Sequence, residues 1–130
     1  MASIFTKIVQ GEIPCFKIAE DEHFLAFLDI APIEQGHTLV IPKKEVDYIF
    51  DLEEELYIGL HLFAKRVAHA LEKTVPCQRI GQTVLGLEVP HAHIHLVPLI
   101  DVQFIDFRRR GELDAAAFAD LAAKIAANFE

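Results

Sequence analysis

The chain has 130 residues, of which 52% are hydrophobic and 25% are charged. This length favours one domain with a substantial core, and the composition argues against intrinsic disorder. The formal net charge of −8 disfavours general nucleic-acid binding. A small phosphate ligand is still compatible with it, because a local pocket can differ in sign from the whole molecule.

Hydrophobic spacing in the first part of the chain predicts a short helix followed by three strands. Ser3 is expected to cap the helix, and residues 11–14 are expected to end it. The strands are predicted at residues 16–20, 23–28 and 37–42. The segment 29–36, with its proline and glycine, reads as a loop.

The second part of the chain predicts one long helix and two further strands. Asp51 is expected to open the helix, because acidic residues crowd its first turn and complement the helix dipole. An apolar stripe then recurs at helical spacing until Pro76 prevents continuation. The strands are predicted at residues 77–85 and 91–98.

The tail predicts a terminal helix at about residues 114–129, capped by Asp114 and rich in alanine. Short turns between neighbouring strands predict a mostly antiparallel five-stranded sheet. The fold class is therefore α+β, with one domain covering residues 1–130.

Two cysteines, Cys15 and Cys77, lie far apart and form no CxxC motif, which is typical of reduced thiols in a cytoplasmic protein. The first residues contain no apolar signal-peptide segment, and no apolar run is long enough to span a bilayer. We therefore expect a cytoplasmic protein with no membrane partner.

Three histidines alternate with apolar residues near the end of the predicted sheet. Successive side chains of a strand point to opposite faces, so His91, His93 and His95 would share one face, with neighbours about 6.6 Å apart. Histidine is the only side chain whose unperturbed pKa lies between pH 5 and 8. The row therefore predicts a metal site, a proton relay or a phosphate-handling site.

Five segments of the sequence together resemble a known family. His91–Val97 is similar to an HφHφHφφ signature, in which φ is apolar. The other similar segments are Ile4–Ile8, Gly11–Pro14, Ala26–Pro32 and Gly36–Lys44. Taken in chain order, the five segments cover about residues 3 to 98 and resemble the Hint-like branch of the histidine triad (HIT) family. The terminal helix lies outside this resemblance.

The resemblance implies a HIT-like fold and a purine nucleotide-binding enzyme without a cofactor. Such an enzyme cleaves nucleoside phosphoramidates or related conjugates at the α-phosphorus. His93 would be the nucleophile and form a nucleotidyl-His93 intermediate, which suits neutral imidazole near pH 7. His95 would bind the phosphate and help to protonate the leaving group, while His91 and His37 would orient the cluster.

The resemblance also implies where the ribose and the base bind. Asp29 would accept hydrogen bonds from the ribose hydroxyls. An apolar slot for the purine would consist of Ile4, Phe5, Ile8, Phe27, Ile30 and Leu39. Taken singly, each of these apolar residues could equally be ordinary core, and Asp29 could simply cap a turn.

The sequence departs from the family pattern around the phosphate. Many Hint-like members carry an asparagine about a dozen residues before the triad and a Gly-Gln pair close to it. This chain has Ile80 and Gly86-Leu87-Glu88 there, and the side chains of Ile80 and Leu87 cannot donate hydrogen bonds. Backbone N–H groups at Leu87 and Glu88 are expected to bind the nucleotide instead, and Gln82 would substitute if the strand is shifted.

Two alternatives to the enzyme stay open at the level of sequence. A histidine cluster suits zinc, copper or nickel, although no carboxylate or cysteine adjoins the triad, and we expect no metal. Without the usual phosphate donors, the chain could instead be a nucleotide-binding interaction module with little turnover. The run Arg108–Arg110 is expected to be solvated rather than an anion site. The resemblance further implies a homodimer formed through the long helices and an edge strand.

Overall fold

Five strands and three α-helices form the α+β architecture that the sequence predicts. The computed structural model describes residues 2–101, 105–108 and 110–130. Within these residues the elements are α1 (Ile4–Val9), β1 (Lys17–Glu20), β2 (Phe24–Leu28), β3 (Thr38–Pro42), a 3₁₀ turn (Ile49–Asp51), α2 (Glu54–Thr74), β4 (Arg79–Thr83), β5 (Ile94–Leu99) and α3 (Ala115–Ala127).

The sheet has the order β1-β2-β3-β5-β4, and every neighbouring pair is antiparallel. β5 therefore lies between β3 and β4 and not at an edge. In this register Leu39 pairs with His95 and Val40 pairs with Ile94. The pairing brings the histidine segment beside the start of β3, where His37 lies.

Both faces of the sheet are covered, so all residues of β2 and β3 are buried. On one face, α2 contributes Leu60, Val67 and Leu71 to the larger core, which also contains Ile94 and Leu96. On the other face, Phe5 of α1 packs in a smaller cluster that includes Phe27 and Leu39. Full burial of each such side chain contributes about 1.5–3 kcal/mol.

Two helix caps form as predicted from local sequence. The Ser3 side chain accepts a hydrogen bond from the Thr6 backbone N–H at the start of α1. Asp114 accepts from the Ala117 backbone N–H at the start of α3. Each cap satisfies one of the unpaired N–H groups of a first helical turn.

The prediction that Asp51 opens the long helix is wrong. Asp51 closes the 3₁₀ turn, and the following Leu52 adopts extended backbone while its side chain is buried in the core. The extended backbone at Leu52 separates the 3₁₀ turn from α2, which begins at Glu54 with Glu53 as its N-cap residue. The helix ends at Thr74, just before Pro76, as the proline requires.

The last two strands are shorter than predicted. β4 is Arg79–Thr83 and β5 begins only at Ile94, so His91 and His93 precede the strand. The backbone N–H of Ala92 donates to the carbonyl of Val46, outside the β3–β5 ladder, which explains the late start. Among the described residues, no helix combines the length and the apolar character needed to cross a membrane.

Candidate active site

Four buried histidines cluster on the sheet face that carries α1. The rings of His93 and His95 lie 4.8 Å apart between centroids, and those of His37 and His95 lie 5.2 Å apart. Phe5 contacts the rings of His91 and His93 edge-on. The intervening apolar residues, Ala92, Ile94 and Leu96, join the larger core, so the predicted alternation of faces is observed.

The tautomer of His93 is set by a backbone carbonyl. Its Nδ1–H donates to the carbonyl oxygen of His91 over 2.7 Å. The other ring nitrogen, Nε2, therefore carries the lone pair. Burial lowers the pKa of His93 below its usual 6.5, so the ring is neutral at pH 7. This is the protonation state that a nitrogen nucleophile needs.

The tautomer of His95 is set by a chain of two hydrogen bonds. The Ile33 backbone N–H donates to His37 Nδ1 over 3.0 Å, so neutral His37 carries its proton on Nε2. That Nε2–H donates to His95 Nδ1 over 2.9 Å. The proton of His95 is therefore on Nε2, and His95 lines the cavity next to His93. Burial lowers the pKa of His37 to about 4, and burial followed by the neighbouring His93 lowers the pKa of His95 to about 3.

His91 is fully buried and connects the site to the start of α1. Its Nε2–H donates to the Pro42 carbonyl over 2.7 Å, and its Nδ1 accepts from the Ser3 hydroxyl over 2.8 Å. Glu45 accepts in turn from the Ser3 backbone N–H and from the Thr6 hydroxyl, each over 2.6 Å. These hydrogen bonds lower the pKa of Glu45 to about 2. The network holds the carbonyl of His91, which orients His93.

A cavity of about 300 Å³ opens next to His93 and His95. Most of the predicted binding residues line it, namely Ile4, Phe5, Ile8, Phe27, Asp29, Ile30, Leu39 and Glu88. Ile30 is 70% exposed and Ile4 is 50% exposed, so these two are not ordinary core residues. The lining residues that the sequence did not predict are Ile13, Pro14, Cys15, Leu28, Ala31, Val89 and Arg110.

Three predicted site residues lie elsewhere. His37 and His91 are fully buried behind the cavity wall and do not line it. Leu87 is 90% exposed and does not line this cavity, but it lines two other cavities that His93 also lines. One of these, of about 120 Å³, is lined by residues 85–88 together with His93, His95, Phe107 and Arg110.

Gln82 does not replace the missing phosphate donor. It pairs with Leu96 in the β4–β5 ladder, whereas Thr83 pairs with His95. Paired residues share a face, so Gln82 lies on the face opposite to the His95 ring. Ile80, at the position of the family's asparagine, packs against the larger core.

Asp29 uses both carboxylate oxygens inside the protein. Oδ1 accepts from the Ala31 backbone N–H over 2.8 Å, which is the turn-capping role that the sequence left open. Oδ2 accepts from Arg110 Nη1 over 3.0 Å and lies 3.6 Å from His37 Nε2. The carboxylate is therefore held in a fixed orientation at the cavity wall.

The expectation of a solvated arginine run is wrong for Arg110. Arg108 is 91% exposed and pairs with Asp106, as expected, and Arg109 lies outside the described residues. Arg110 is only 25% exposed and turns inward, where it also donates to the Ala31 carbonyl over 2.7 Å. Its position depends on the return path of the chain after β5, which no local pattern encodes.

The side chains of Asp29, His37 and His95 converge, since one ligand atom from each lies within 4.8 Å of the others. The hydrogen-bond pattern nevertheless fits a metal ion poorly. A metal on His37 Nε2 would move the ring proton to Nδ1, which faces the Ile33 N–H donor. Asp29 is also already paired with a cation. This set therefore fits a hydrogen-bond relay better than a metal site.

Comparisons with known proteins agree with this geometry. The HIT domain family model matches residues 10–101. The chain is 35% identical over 131 residues to "Adenosine 5'-monophosphoramidase HNT1" of Saccharomyces cerevisiae, covering 92% of this chain and 83% of the yeast protein. Among solved structures, a Hit-like protein from Bartonella henselae superimposes with a TM-score of 0.87 at 28% identity, over 98% of this chain and 96% of that one. A zinc-bound histidine triad protein from Mycobacterium smegmatis gives a TM-score of 0.85 at 30% identity, over 98% and 93% of the two chains.

Proposed function

Because this chain belongs to the HIT family, we propose that it cleaves nucleoside phosphoramidates or related purine nucleotide conjugates at the α-phosphorus. Relatives named as adenosine 5'-monophosphoramidases support a nucleotide hydrolase activity in general. The observation that carries the finer proposal is the pair of tautomers: His93 offers a lone pair on Nε2, and the adjacent His95 offers a proton on Nε2.

The proposed reaction has two displacements at phosphorus. In the first, His93 Nε2 forms a bond to the α-phosphorus as the bond to the leaving group breaks, while Nδ1–H stays on the His91 carbonyl. In the second, water attacks the nucleotidyl-His93 intermediate, releases the nucleoside monophosphate and restores the His93 lone pair. Splitting one displacement into two is the usual advantage of covalent catalysis.

His95 serves both displacements as a hydrogen-bond donor to a phosphate oxygen. In its neutral form it cannot give up Nε2–H without becoming an anion, because its Nδ1 only accepts from His37. His95 therefore keeps its Nε2–H as a hydrogen-bond donor throughout. The leaving nitrogen takes a proton from solvent in the first displacement, and the attacking water returns one proton to solvent in the second, so the two steps balance.

The nucleoside part is proposed to occupy the cavity of about 300 Å³ that His93 and His95 line. The apolar slot holds the purine, and Asp29 accepts from the ribose hydroxyls with its fixed carboxylate. The cavity volume of about 300 Å³ is at the small end for ligand sites, as suits a partly open pocket.

The activity is tested with adenosine 5'-phosphoramidate as substrate. We expect the wild-type protein to release AMP, and His93→Ala to lose at least about a thousandfold in kcat/KM while it still binds AMP. His69→Ala is the matched control, because His69 lies on the exposed side of α2. Wild-type protein that neither binds nor cleaves any purine nucleotide conjugate would contradict the proposal.

A binding module with little turnover is the second candidate. It is favoured by the absence of side-chain donors at Ile80 and Leu87. Quenching the wild-type reaction in denaturant and measuring the intact mass of the protein by mass spectrometry distinguishes the enzyme from the binding module. A covalent nucleotide on His93 supports the enzyme, whereas tight AMP binding without any adduct supports the module.

We also propose that the chain forms a homodimer and folds as one domain that includes α3. Exposed apolar side chains on α2 (Ile58 and Leu62) and near the open edge of β4 (Leu85) supply a surface for a second copy.

The proposal of one domain is supported by the packing of α3, because Phe118 of α3 stacks on Phe16 with 5.0 Å between ring centroids. The free thiols of Cys15 and Cys77 are in line with a cytoplasmic location.

A further inference from the structure

A short segment that follows β5, of which residues 105–108 and 110–111 are described, returns to the histidine cluster. The Gly111 backbone N–H donates to the Pro32 carbonyl over 2.7 Å and anchors the segment. Phe107 packs edge-on against His95, with 4.6 Å between ring centroids, and the Arg110 guanidinium lies 5.0 Å from the centroid of Phe107. The segment lies beyond residues 10–101, which the family model covers.

Arg110 is the single cationic side chain among the described residues that line the two cavities shared by His93 and His95. The acidic groups there are Asp29 and Glu88, and the buried histidines are neutral. Without Arg110 the site would present only negative charge to a negative phosphate, in a molecule whose net charge is already −8.

We propose that Arg110 binds the negative charge of the substrate's phosphate and replaces the donors that Ile80 and Leu87 cannot supply. The proposal rests on the proposed function. Arg110 Nη1 is occupied by Asp29 Oδ2 and the Ala31 carbonyl, whereas Nη2 lies 3.7 Å from the exposed Glu88 carboxylate, beyond hydrogen-bond distance. A phosphate oxygen in the smaller cavity displaces this loose pairing and gains a charge-assisted hydrogen bond.

The same arrangement couples recognition of the sugar to recognition of the phosphate. Asp29, the proposed ribose acceptor, holds Nη1 and so aims the planar guanidinium. Arg110 is therefore a specificity residue for anionic ligands, distinct from the histidines that carry the reaction. Affinity for a neutral nucleoside should depend on Arg110 only slightly, because the Ala31 N–H also holds Asp29, whereas affinity for a nucleotide should depend on it strongly.

The test compares AMP with adenosine by titration calorimetry at low salt. For Arg110→Ala we expect AMP affinity to fall at least about tenfold and adenosine affinity to change less than about twofold. Arg110→Lys should recover part of the AMP affinity. Arg108→Ala is the matched control, because Arg108 is solvated, and it should leave both affinities unchanged.

Three outcomes would overturn the proposal while wild-type protein still binds AMP. Equal weakening of AMP and adenosine by Arg110→Ala would make Arg110 a structural support of Asp29. Tighter binding of both ligands would show that the Arg110 side chain blocks the ribose site. Unchanged AMP affinity would remove any role in binding. Wild-type protein that binds neither ligand would overturn the proposed function, and this inference with it. Thermal melting of each variant, without ligand, checks that it is folded.

Discussion

Each histidine of the cluster has a hydrogen-bond partner that fixes where its proton lies. The His91 carbonyl fixes the tautomer of His93. The Ile33 backbone N–H, acting through His37, fixes the tautomer of His95. The Pro42 carbonyl and the Ser3 hydroxyl fix the tautomer of His91. Burial keeps the rings neutral by lowering their pKa values. The hydrogen bonds therefore fix the position of each ring proton, while burial removes the positive charge from the cluster.

Neutral buried histidines predict that the protein loses stability as the pH falls. The folded pKa values of His37 (about 4) and His95 (about 3) lie below the usual 6.5, so the unfolded chain binds more protons between those limits. The stabilising contribution is complete above pH 6.5 and is lost as the pH falls towards 4. Between pH 7 and pH 5 we expect the free energy of unfolding to drop by about 2 kcal/mol for each of these two histidines, about 4 kcal/mol together.

Urea denaturation at the two pH values measures this drop. The window lies above the ordinary pKa of glutamate, so the unusually acidic Glu45 contributes little within it. His95→Gln should reduce the drop, and His69→Ala, at an exposed position, should leave it unchanged. Equal stability of the wild-type protein at pH 7 and pH 5 would contradict the assigned protonation states.

Helix α1 links secondary structure to the site, because Ser3 both caps the helix and donates to His91. We predict that Ser3→Ala destabilises the protein by about 1–2 kcal/mol and also lowers kcat, since the His91 carbonyl that orients His93 loses support. Asp114→Ala is the control: it removes the cap of α3, costs a similar stability and should leave kcat unchanged. An equal kcat in the two variants would show that Ser3 acts as a helix cap alone.

The turn before β3 needs glycine for two reasons. Gly36 has a φ of +92°, and a Cβ there would lie 3.0 Å from Pro98 Cγ and 3.1 Å from Val75 Cγ2. Gly11 has a similar φ of +81° but open space around it. We predict that Gly11→Ala costs about 1 kcal/mol of backbone strain, whereas Gly36→Ala costs about 2–4 kcal/mol and displaces His37. Chemical denaturation measures the free energy of unfolding of both variants, and equal losses would mean that Pro98 and Val75 shift to accommodate the added methyl group.

Local signals predicted most elements, and non-local contacts account for what the sequence could not predict. The caps at Ser3 and Asp114 depend on residues three positions away, so they can be read from sequence. The His37–His95 hydrogen bond joins residues 58 positions apart, and its existence depends on the insertion of β5 beside β3. The family resemblance identified the cluster and most of the cavity lining. It did not identify Arg110, which lies beyond the matched segment.

At the scale of the molecule, the long helix and the open edge of β4 leave apolar surface uncovered in one chain. Leu62 is 59% exposed and Ile58 is 50% exposed, one turn apart on α2. We predict that Leu62→Glu shifts the protein from dimer to monomer in analytical ultracentrifugation, because a desolvated carboxylate is costly in an interface. Lys124→Glu, a charge change on the exposed side of α3, should leave the sedimentation unchanged. A wild-type monomer at micromolar concentration would contradict the dimer.

The placement of β5 between β3 and β4 also has a kinetic consequence. A strand from late in the sequence must dock into the interior of the sheet, beside a partner more than fifty residues earlier. The entropy of closing so long a loop opposes early docking, and chains rich in such distant pairings fold slowly. We therefore expect refolding chains to acquire helical circular dichroism before they can bind a nucleotide, since the ligand pocket is completed only by the most remote pairing.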